Sequence, residues 1–466
     1  MIKTLASPLS NIEFYDLPSD EPGVIELMKG LRTAFQPILT IGVTGTKGKT
    51  STVEFIAQLI GGQGFSTAVL TSVGMRIGSE RYPPRRDLMD VWYFLSGCVR
   101  KAVQCVVIEL TSHALLVGVH RCIDVDFAVF SNVGKDHIRA HGNARNYRRA
   151  KSRLFWDLDS QGGLRKKWAI LNADDEASGE IEESLPKGVA VAAYGIDQKL
   201  EGERTKLRVY ASDIRYDFRG TSYRISGLGK RDYICRTPLV GKFNVYNSMA
   251  ALACAIAVNG DVCQNIRNAE TLRPPSGRFQ FIGFPSPRTP TVITDYAHTP
   301  ESLGSVLQTA REIASRGRVI AVFGCGGDTY KAKRPTMGQI AARLADAVVL
   351  TTDNPRFEDP AVIARQIYRG IPENGRFKVT MELDRSRAIQ TAIQIARPGD
   401  IVMLIGRGAE EKQEIRGQEI FFSDIDAAKA SLRTYGRSKK GARSLPGQEA
   451  EGVDRKGVGS EGKSRP

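Results

Sequence analysis

The run Thr44-Gly-Thr-Lys-Gly-Lys-Thr-Ser51 lies between an apolar stretch, PILTIGV, and a segment with apolar residues at Val53, Ile56, Ala57 and Ile60. This order predicts a strand, a glycine-rich turn and an amphipathic helix. Backbone N–H groups of such a turn point inward and cradle phosphate oxygens, and the helix adds the positive end of its dipole. Thr46, Lys47, Gly48, Lys49, Thr50 and Ser51 are therefore candidate nucleotide contacts. Lys49 is suited to the β- and γ-phosphates of ATP, and the Thr50 hydroxyl to Mg2+. The strict pattern has glycine at position 43, where this chain has Val43, so the loop is a variant.

Three further residues could serve phosphate chemistry. Glu109 ends the apolar run CVVIEL, and His137 follows DFAVFS. In open α/β sheets the carboxyl ends of strands face the ligand crevice, which puts both near the loop. Lys151 sits among Arg148, Arg149 and Arg153. Taken alone it is a surface lysine on a basic helix.

These groups need a frame to hold them. Strand patterns (PILTIGV, TAVL, CVVIEL, DFAVFS, WAILNADD) alternate with helical ones such as Leu88 to Gln104. This predicts an α/β fold: a central P-loop-type parallel-sheet ATPase domain followed by a Rossmann-like C-terminal domain. Residues 205–236 alternate polar and apolar, predicting an antiparallel flap on the central domain. A second α/β series begins at 285, with strands TVITDYA, RVIAVFG, DAVVLTT and IVMLIG, and Pro-rich FPSPRTP marks the boundary. The expected domains are a short segment 1–40, a central domain 41–284, a C-terminal domain 285–436 and a disordered basic tail 437–466.

The chain has 466 residues, enough for two or three domains, with 41% hydrophobic and 25% charged residues. No apolar run is long enough to span a bilayer, and the first twenty residues do not have the form of a signal peptide. Seven scattered cysteines without a Cys-x-x-Cys pair suit reduced thiols in the cytoplasm. The formal charge is +15, and residues 437–466 carry eight Lys/Arg against four Asp/Glu. The excess on the body favours anionic small molecules, since no aromatic-studded nucleic-acid motif accompanies it. No nucleic-acid or membrane partner is expected, and the chain is expected to be a monomer.

With the motifs in hand, the chain resembles the Mur ligases, and its loop also resembles that of folylpolyglutamate synthase. The resemblance rests on the loop, ELTSHAL (109–115), SNVGKDHIRAHG (131–142), NYRRAKSRLF (146–155), GKFNVYNSMAALA (241–253), SGR (276–278), DYAHTPESL (295–303), FGCGGDTYKAKRPTMG (323–338) and DNPR (353–356), in that order. It implies that Thr50 and Glu109 serve one Mg2+ and His137 a second. It implies a carbamylated Lys151, which requires a neutral amine before CO2 adds. Asn247 resembles the adenine-binding asparagine, Arg278 a phosphate-reaching arginine, and Asp295 the ribose-binding aspartate. Lys333 and Arg334 would bring charge to the phosphates on closure. Helix capping for Asn247 and surface ion pairs for the others are the plainer alternatives.

The resemblance also assigns Thr111, Ser112, His298, Asp353, Asn354, Arg356, Gly406 and Glu410 to substrate binding. Arg356 of DNPR would grip a carboxylate of diaminopimelate, as a guanidinium does bidentately; its plainer alternative is a surface pair with Glu358. The segment Gly406-Arg-Gly-Ala-Glu-Glu-Lys-Gln413 keeps Gly406, Gly408, Glu410 and Gln413 of the family's pattern but has Arg407, Ala409 and Lys412 where that pattern has Lys, His and Tyr. Only forty residues precede the loop, where the family has a UDP-holding domain of roughly a hundred, and Arg81-Tyr-Pro-Pro84 alters a sugar-nucleotide segment. The implied function is an ATP- and Mg2+-dependent carboxylate–amine ligase of peptidoglycan assembly, acting on a UDP-muropeptide-like acid and an amino acid. The alternatives are a paralogue with a non-UDP substrate, including folate-type glutamate addition, and a non-catalytic nucleotide-binding protein.

Overall fold

The structure is a computed structural model that describes residues 30, 33–82, 88–134, 141–158, 165–197, 200 and 202–441. His137, the sugar-nucleotide segment from residue 83 to 87, the segment 1–29 and residues 442–466 lie outside the described residues.

The first sheet has eleven strands: β1 (Leu39–Thr44), β2 (Thr67–Thr71), β3 (Gly74–Ile77), β4 (Glu80–Tyr82), β5 (Cys105–Glu109), β6 (Phe127–Phe130), β7 (Trp168–Asn172), β8 (Ala190–Gly195), β9 (Thr205–Asp217), β10 (Gly220–Ser226) and β11 (Tyr233–Thr237). Their order is β11-β10-β9-β8-β7-β6-β1-β5-β2-β3-β4. The strands from β2 to β9 run parallel, and β3–β4 and β10–β11 close the two edges antiparallel. The segment expected as an antiparallel flap on the central domain does pair antiparallel, as β9–β10–β11, and it is joined to the main sheet because β9 pairs parallel with β8.

Strands such as β1 and β8 are buried at every position, which suits their mostly apolar sequences when both faces are covered. One face carries the Lys49–Gly62 and Lys242–Asn259 helices, packed on Val43, Val107, Val129 and Ile170. The second of these helices is apolar nearly all round, and Ala250, Ala251, Ala253 and Ala255 are fully buried within the core. The other face carries Phe94, Leu95, Leu154 and Phe155.

The second sheet runs β12-β13-β17-β14-β15-β16, with β12 (Gln280–Gly283), β13 (Thr291–Asp295), β14 (Val319–Phe323), β15 (Ala347–Leu350), β16 (Val379–Met381) and β17 (Ile401–Ile405). Only β12 is antiparallel. The segment FPSPRTP connects β12 to β13, so the chain has entered the second sheet by Gln280, ahead of the expected boundary. A small hairpin, β18 (Lys412–Ile415) and β19 (Gln418–Phe421), was not foreseen; it lies beside the DNPR segment through an Arg356–Ile415 bridge. The last described helix, Asp424–Gly441, runs five residues into the segment expected as a tail. Tyr216 to Glu312 and the Phe243–Phe279 edge contact join the two sheet domains.

Candidate active site

The glycine-rich turn follows β1 at the centre of the first sheet, where flanking parallel strands all end on the same side. Gly48 caps the Lys49–Gly62 helix with φ 82°, a left-handed conformation that suits glycine. A Cβ there would also overlap Asn247 Oδ1. No side chain caps this helix, so its first-turn amides face the crevice. The turn is shaped from a neighbouring strand end. Lys47 N–H donates to Asn132 Oδ1 at 2.9 Å, Asn132 Nδ2 donates to Lys47 O at 3.0 Å, and Thr46 N–H donates to Asn132 O at 2.8 Å. Thr46 Oγ1 lies 3.2 Å from the Tyr147 hydroxyl and accepts from Gly134 N–H.

Glu109, at the end of β5, meets this turn. The Thr50 hydroxyl donates to Glu109 Oε2 at 2.8 Å, and Lys49 Nζ lies 3.8 Å from Oε1. Ser72, after β2, donates to the same Oε2 from its N–H and hydroxyl, both at 3.3 Å. A hydroxyl and a carboxylate beside a phosphate cradle are the hard oxygen donors that suit Mg2+, which takes its other ligands from phosphates and water. The donors present fit nucleotide and metal. Among the described residues no cluster of three or more His, Cys, Asp and Glu stands ready for a metal.

Lys151 is not at the surface: it is 2% exposed, and its Nζ donates to Gly45 O at 2.7 Å beneath the turn. It also lies 4.5 Å from the Tyr147 ring centroid. Both contacts are made by the unmodified lysine side chain. The neighbouring arginines are engaged elsewhere, Arg148 with Glu180, Arg153 with Leu116 O and Arg149 over Trp156.

A cavity of about 480 Å³ joins the turn to the second domain. Thr46 to Ser51, Ser72, Glu109 and Asn247 line one side, and Arg278, Asp295 and His298 line the other. Asp295 accepts from Phe279 and Ala297 N–H, both at 2.7 Å, and burial pushes its carboxyl above the usual range. Arg278 stacks over Tyr296 at 4.5 Å, and Lys333 Nζ donates to His298 O at 2.9 Å. Asn247 is itself buried, with its Nδ2 on Asn244 Oδ1 at 3.3 Å, so its oxygen rests against the turn.

Asn172, Asp174, Asp175 and Tyr246 also line this cavity, and none was singled out from the sequence. The signal was present in NADD, directly after an apolar strand, where the crevice rule applies. Asp174 accepts the Tyr246 hydroxyl at 2.7 Å, and burial raises the Asp175 carboxyl, which accepts from Val133 N–H at 2.7 Å.

Of the eight expected substrate residues His298 lines this cavity, and the other seven lie outside its lining, Thr111 and Ser112 on the first domain. Thr111 is exposed and caps its short helix by accepting from Ala114 N–H, and Ser112 Oγ lies 3.0 Å from His141 Nε2. The others gather at the carboxyl ends of β15 and β17. Asn354 Nδ2 donates to Glu410 Oε2 at 3.0 Å, and Gly406 (φ 115°) leaves no room for a Cβ beside Asp353. Arg407, fully buried, donates to Asn354 Oδ1 at 2.8 Å and to Lys412 O at 2.8 Å. Glu410 has its carboxyl raised by burial and by nearby Asp353. Arg356 pairs with Glu414 rather than Glu358, which Arg334 and Lys331 hold instead.

A glycine-rich turn at a helix N-terminus, the Thr50–Glu109 pair beside it and a second α/β domain lining the same cavity are the parts of a two-domain α/β protein suited to a nucleotide. Residues 43–255 match the Mur ligase middle domain, and residues 277–408 the Mur ligase glutamate ligase domain. The UDP-N-acetylmuramoyl-L-alanyl-D-glutamate–2,6-diaminopimelate ligase of Geobacillus kaustophilus is 37% identical over 402 residues, 85% of this chain and 79% of that one. A solved structure of a ligase of the same name is 32% identical with a TM-score of 0.63, covering 87% of this chain and 81% of the other. The folylpolyglutamate synthase of Mycobacterium tuberculosis, solved with ADP, shares the fold at 17% identity and a TM-score of 0.63, covering 88% and 93%. The chain belongs to the Mur ligase family.

Proposed function

We propose that the chain is an ADP-forming acid–amino-acid ligase that joins diaminopimelate to a UDP-muramoyl dipeptide in peptidoglycan assembly. The observation that carries this reading is the single cavity shared by the Lys47–Ser51 turn, Glu109, Arg278 and Asp295. It has amide donors and cations for a triphosphate and carboxylates for Mg2+ and a ribose.

A carboxylate oxygen of the acid attacks the γ-phosphorus of ATP, the bond to the bridging β–γ oxygen breaks, and ADP departs. The substrate amine then attacks the acyl carbon, loses a proton, and expels phosphate to leave an amide. Such chemistry asks the protein for positioning and charge compensation. In our reading Lys49 and the turn amides hold the phosphates, Thr50 and Glu109 hold Mg2+, and Asn247, Arg278 and Asp295 hold the nucleoside and phosphates. His137 is assigned to a second Mg2+ by family resemblance alone. Bound Mg2+ would neutralise charge on the phosphates. Closure carrying Lys333 and His298 toward the phosphates would exclude water.

Unmodified Lys151 supports the turn through Gly45 O. By family resemblance it is the lysine that becomes a carbamate, which would put an anion beneath the turn. A sample equilibrated with isotopically labelled bicarbonate should show a carbamate carbon that Lys151→Arg abolishes. Six described cysteines are free thiols, from which we infer a cytoplasmic site of action. Relatives named for UDP-muramoyl and diaminopimelate substrates support action on small molecules.

The acyl-phosphate route is tested by labelling the acid's carboxylate with heavy oxygen. Label should appear in the released phosphate; its absence, with amide still formed, would remove the mechanism.

A further inference from the structure

The positive charge of this chain is spread unevenly. Residues 204–236 hold nine Lys/Arg against three Asp/Glu, an excess of six within a whole-chain excess of +15. They form β9, β10 and β11, the antiparallel end of the first sheet, and none of them lines the nucleotide cavity. Contacts to a bound nucleotide therefore leave this excess without a use. Alternation sorts the side chains of the three strands. Tyr223, Ile225 and Cys235 are buried and pack with Val245 and Met249 of the Lys242–Asn259 helix. The opposite face is open, with Arg215, Arg224, Ile234 and Arg236 all exposed.

The register sets these groups in rows. Ser222 of β10 lies opposite Arg215 of β9 and opposite Arg236 of β11, so the two arginines flank it, about 10 Å apart across three strands. In the next row Arg224 stands between Ser212 and Ile234. Arg224 is paired with Asp213 at 2.8 Å and approaches Asp232 at 3.9 Å. Among the described residues neither Arg215 nor Arg236 has a carboxylate within ion-pair reach. Apolar groups edge the same region: Ile234 is 46% exposed, and Phe218, in the β9–β10 turn, 38%, with the Arg219 guanidinium 5.5 Å from its ring centroid. Stacked bases would use exposed rings set among the cations, and the positions beside Arg215, Arg224 and Arg236 hold Ser212, Ser222 and Ile234 instead. Cations in a row with an aliphatic side chain beside them fit a surface of anionic lipid, where guanidinium groups meet phosphates and apolar side chains enter the headgroup boundary.

We propose that the open face of β9, β10 and β11 is a peripheral docking surface for an anionic phospholipid bilayer. Arg215 and Arg236 take lipid phosphates, and Ile234 enters the headgroup boundary. This goes beyond the ligase reading, does not depend on it, and replaces the expectation of a chain without a membrane partner.

The test is co-sedimentation of the full chain with vesicles of equal parts phosphatidylglycerol and phosphatidylcholine, and with vesicles of phosphatidylcholine alone. Binding is expected to the first only, and high salt should remove it. Arg215→Ser combined with Arg236→Ser should weaken that binding about twentyfold, through the loss of two charges at the surface. Arg316→Ser combined with Arg433→Ser removes the same charge from exposed positions on the second domain and should bind as the parent does. Equal losses in the two double variants would mean that net charge alone drives attachment, and that result, or no binding to either vesicle, overturns the proposal. Ile234→Trp keeps every arginine in place. In phosphatidylglycerol vesicles that also contain brominated lipid its emission should be quenched beyond that of the parent, and quenching no greater than the parent's would put the contact elsewhere. Binding of polyuridylate that the Arg215/Arg236 double variant loses, with no vesicle binding, would make the face a nucleic-acid surface instead. ADP release should be the same in both double variants, so vesicle binding and the ligase reading fail or stand on separate measurements.

Discussion

Thr50 donates its hydroxyl to Glu109 Oε2 at 2.8 Å, linking the first helical turn after β1 to the end of β5, 59 residues later. The parallel pairing of β1 with β5 puts Val43 opposite Glu109, which fixes this meeting. Replacing Thr50 by Val, or Glu109 by Gln, should lower kcat for ADP release by about 100-fold or more, the usual effect of removing a group that acts on developing charge. The thermal midpoint should stay within a few degrees. A rate within fivefold of the parent at saturating Mg2+ would remove these two side chains from the metal site.

Gly48→Ala adds a Cβ where φ is 82° and where Asn247 Oδ1 already sits. Nucleotide affinity should fall by tenfold or more, because the turn must open away from Asn247. Gly64, also left-handed but with open space around it, serves as the control. Gly64→Ala should cost backbone strain and leave nucleotide affinity unchanged. Equal effects of both on a nucleotide titration would mean that the turn tolerates rearrangement.

Asp157 accepts from buried His120 at 2.8 Å and from Arg121 at 2.8 Å, which hold its carboxyl down at about 2. A depressed carboxylate stabilises the fold fully above its unfolded value, near 3.9, and loses that contribution as pH falls toward 2. Asp157→Asn should therefore cost about 2 kcal/mol at neutral pH and little once the pH falls below 2. Denaturant midpoints from pH 6 downward should converge for parent and variant, and parallel curves would contradict this account.

Arg407 stands where the family's pattern has lysine, and its buried fork spans Asn354 and the Lys412 carbonyl. A lysine there is a point charge and cannot hold both. Arg407→Lys should raise KM for the amine substrate about tenfold while leaving KM for ATP unchanged. A matched rise in both would show a general loss of the C-terminal domain instead.

The parts legible in the sequence were those with local causes. The turn between β1 and its helix, the parallel strand runs and the carboxylate at the end of CVVIEL all follow from short-range pattern. What escaped depends on distant pairing. Asn132 shapes the turn from 85 residues away, and Asp174 reaches Tyr246 across 72. The β18–β19 hairpin is four polar-rich residues on each side and has no alternating signature strong enough to see. Lys151 looked like a surface residue because helix charge pattern says nothing about which face meets a loop from another strand. Its burial comes from Gly45 and Tyr147.

The central claim is that the cavity between the two domains holds ATP for a reaction that joins an acid to an amine. It is tested most directly by following ADP release with UDP-N-acetylmuramoyl-L-alanyl-D-glutamate, diaminopimelate and Mg-ATP, omitting each in turn. The expected result is one ADP and one phosphate for each amide formed, with no steady ADP release when either the acid or the amine is left out. Steady ATP hydrolysis indifferent to both, or tight ATP binding with no ADP under any combination, would contradict it.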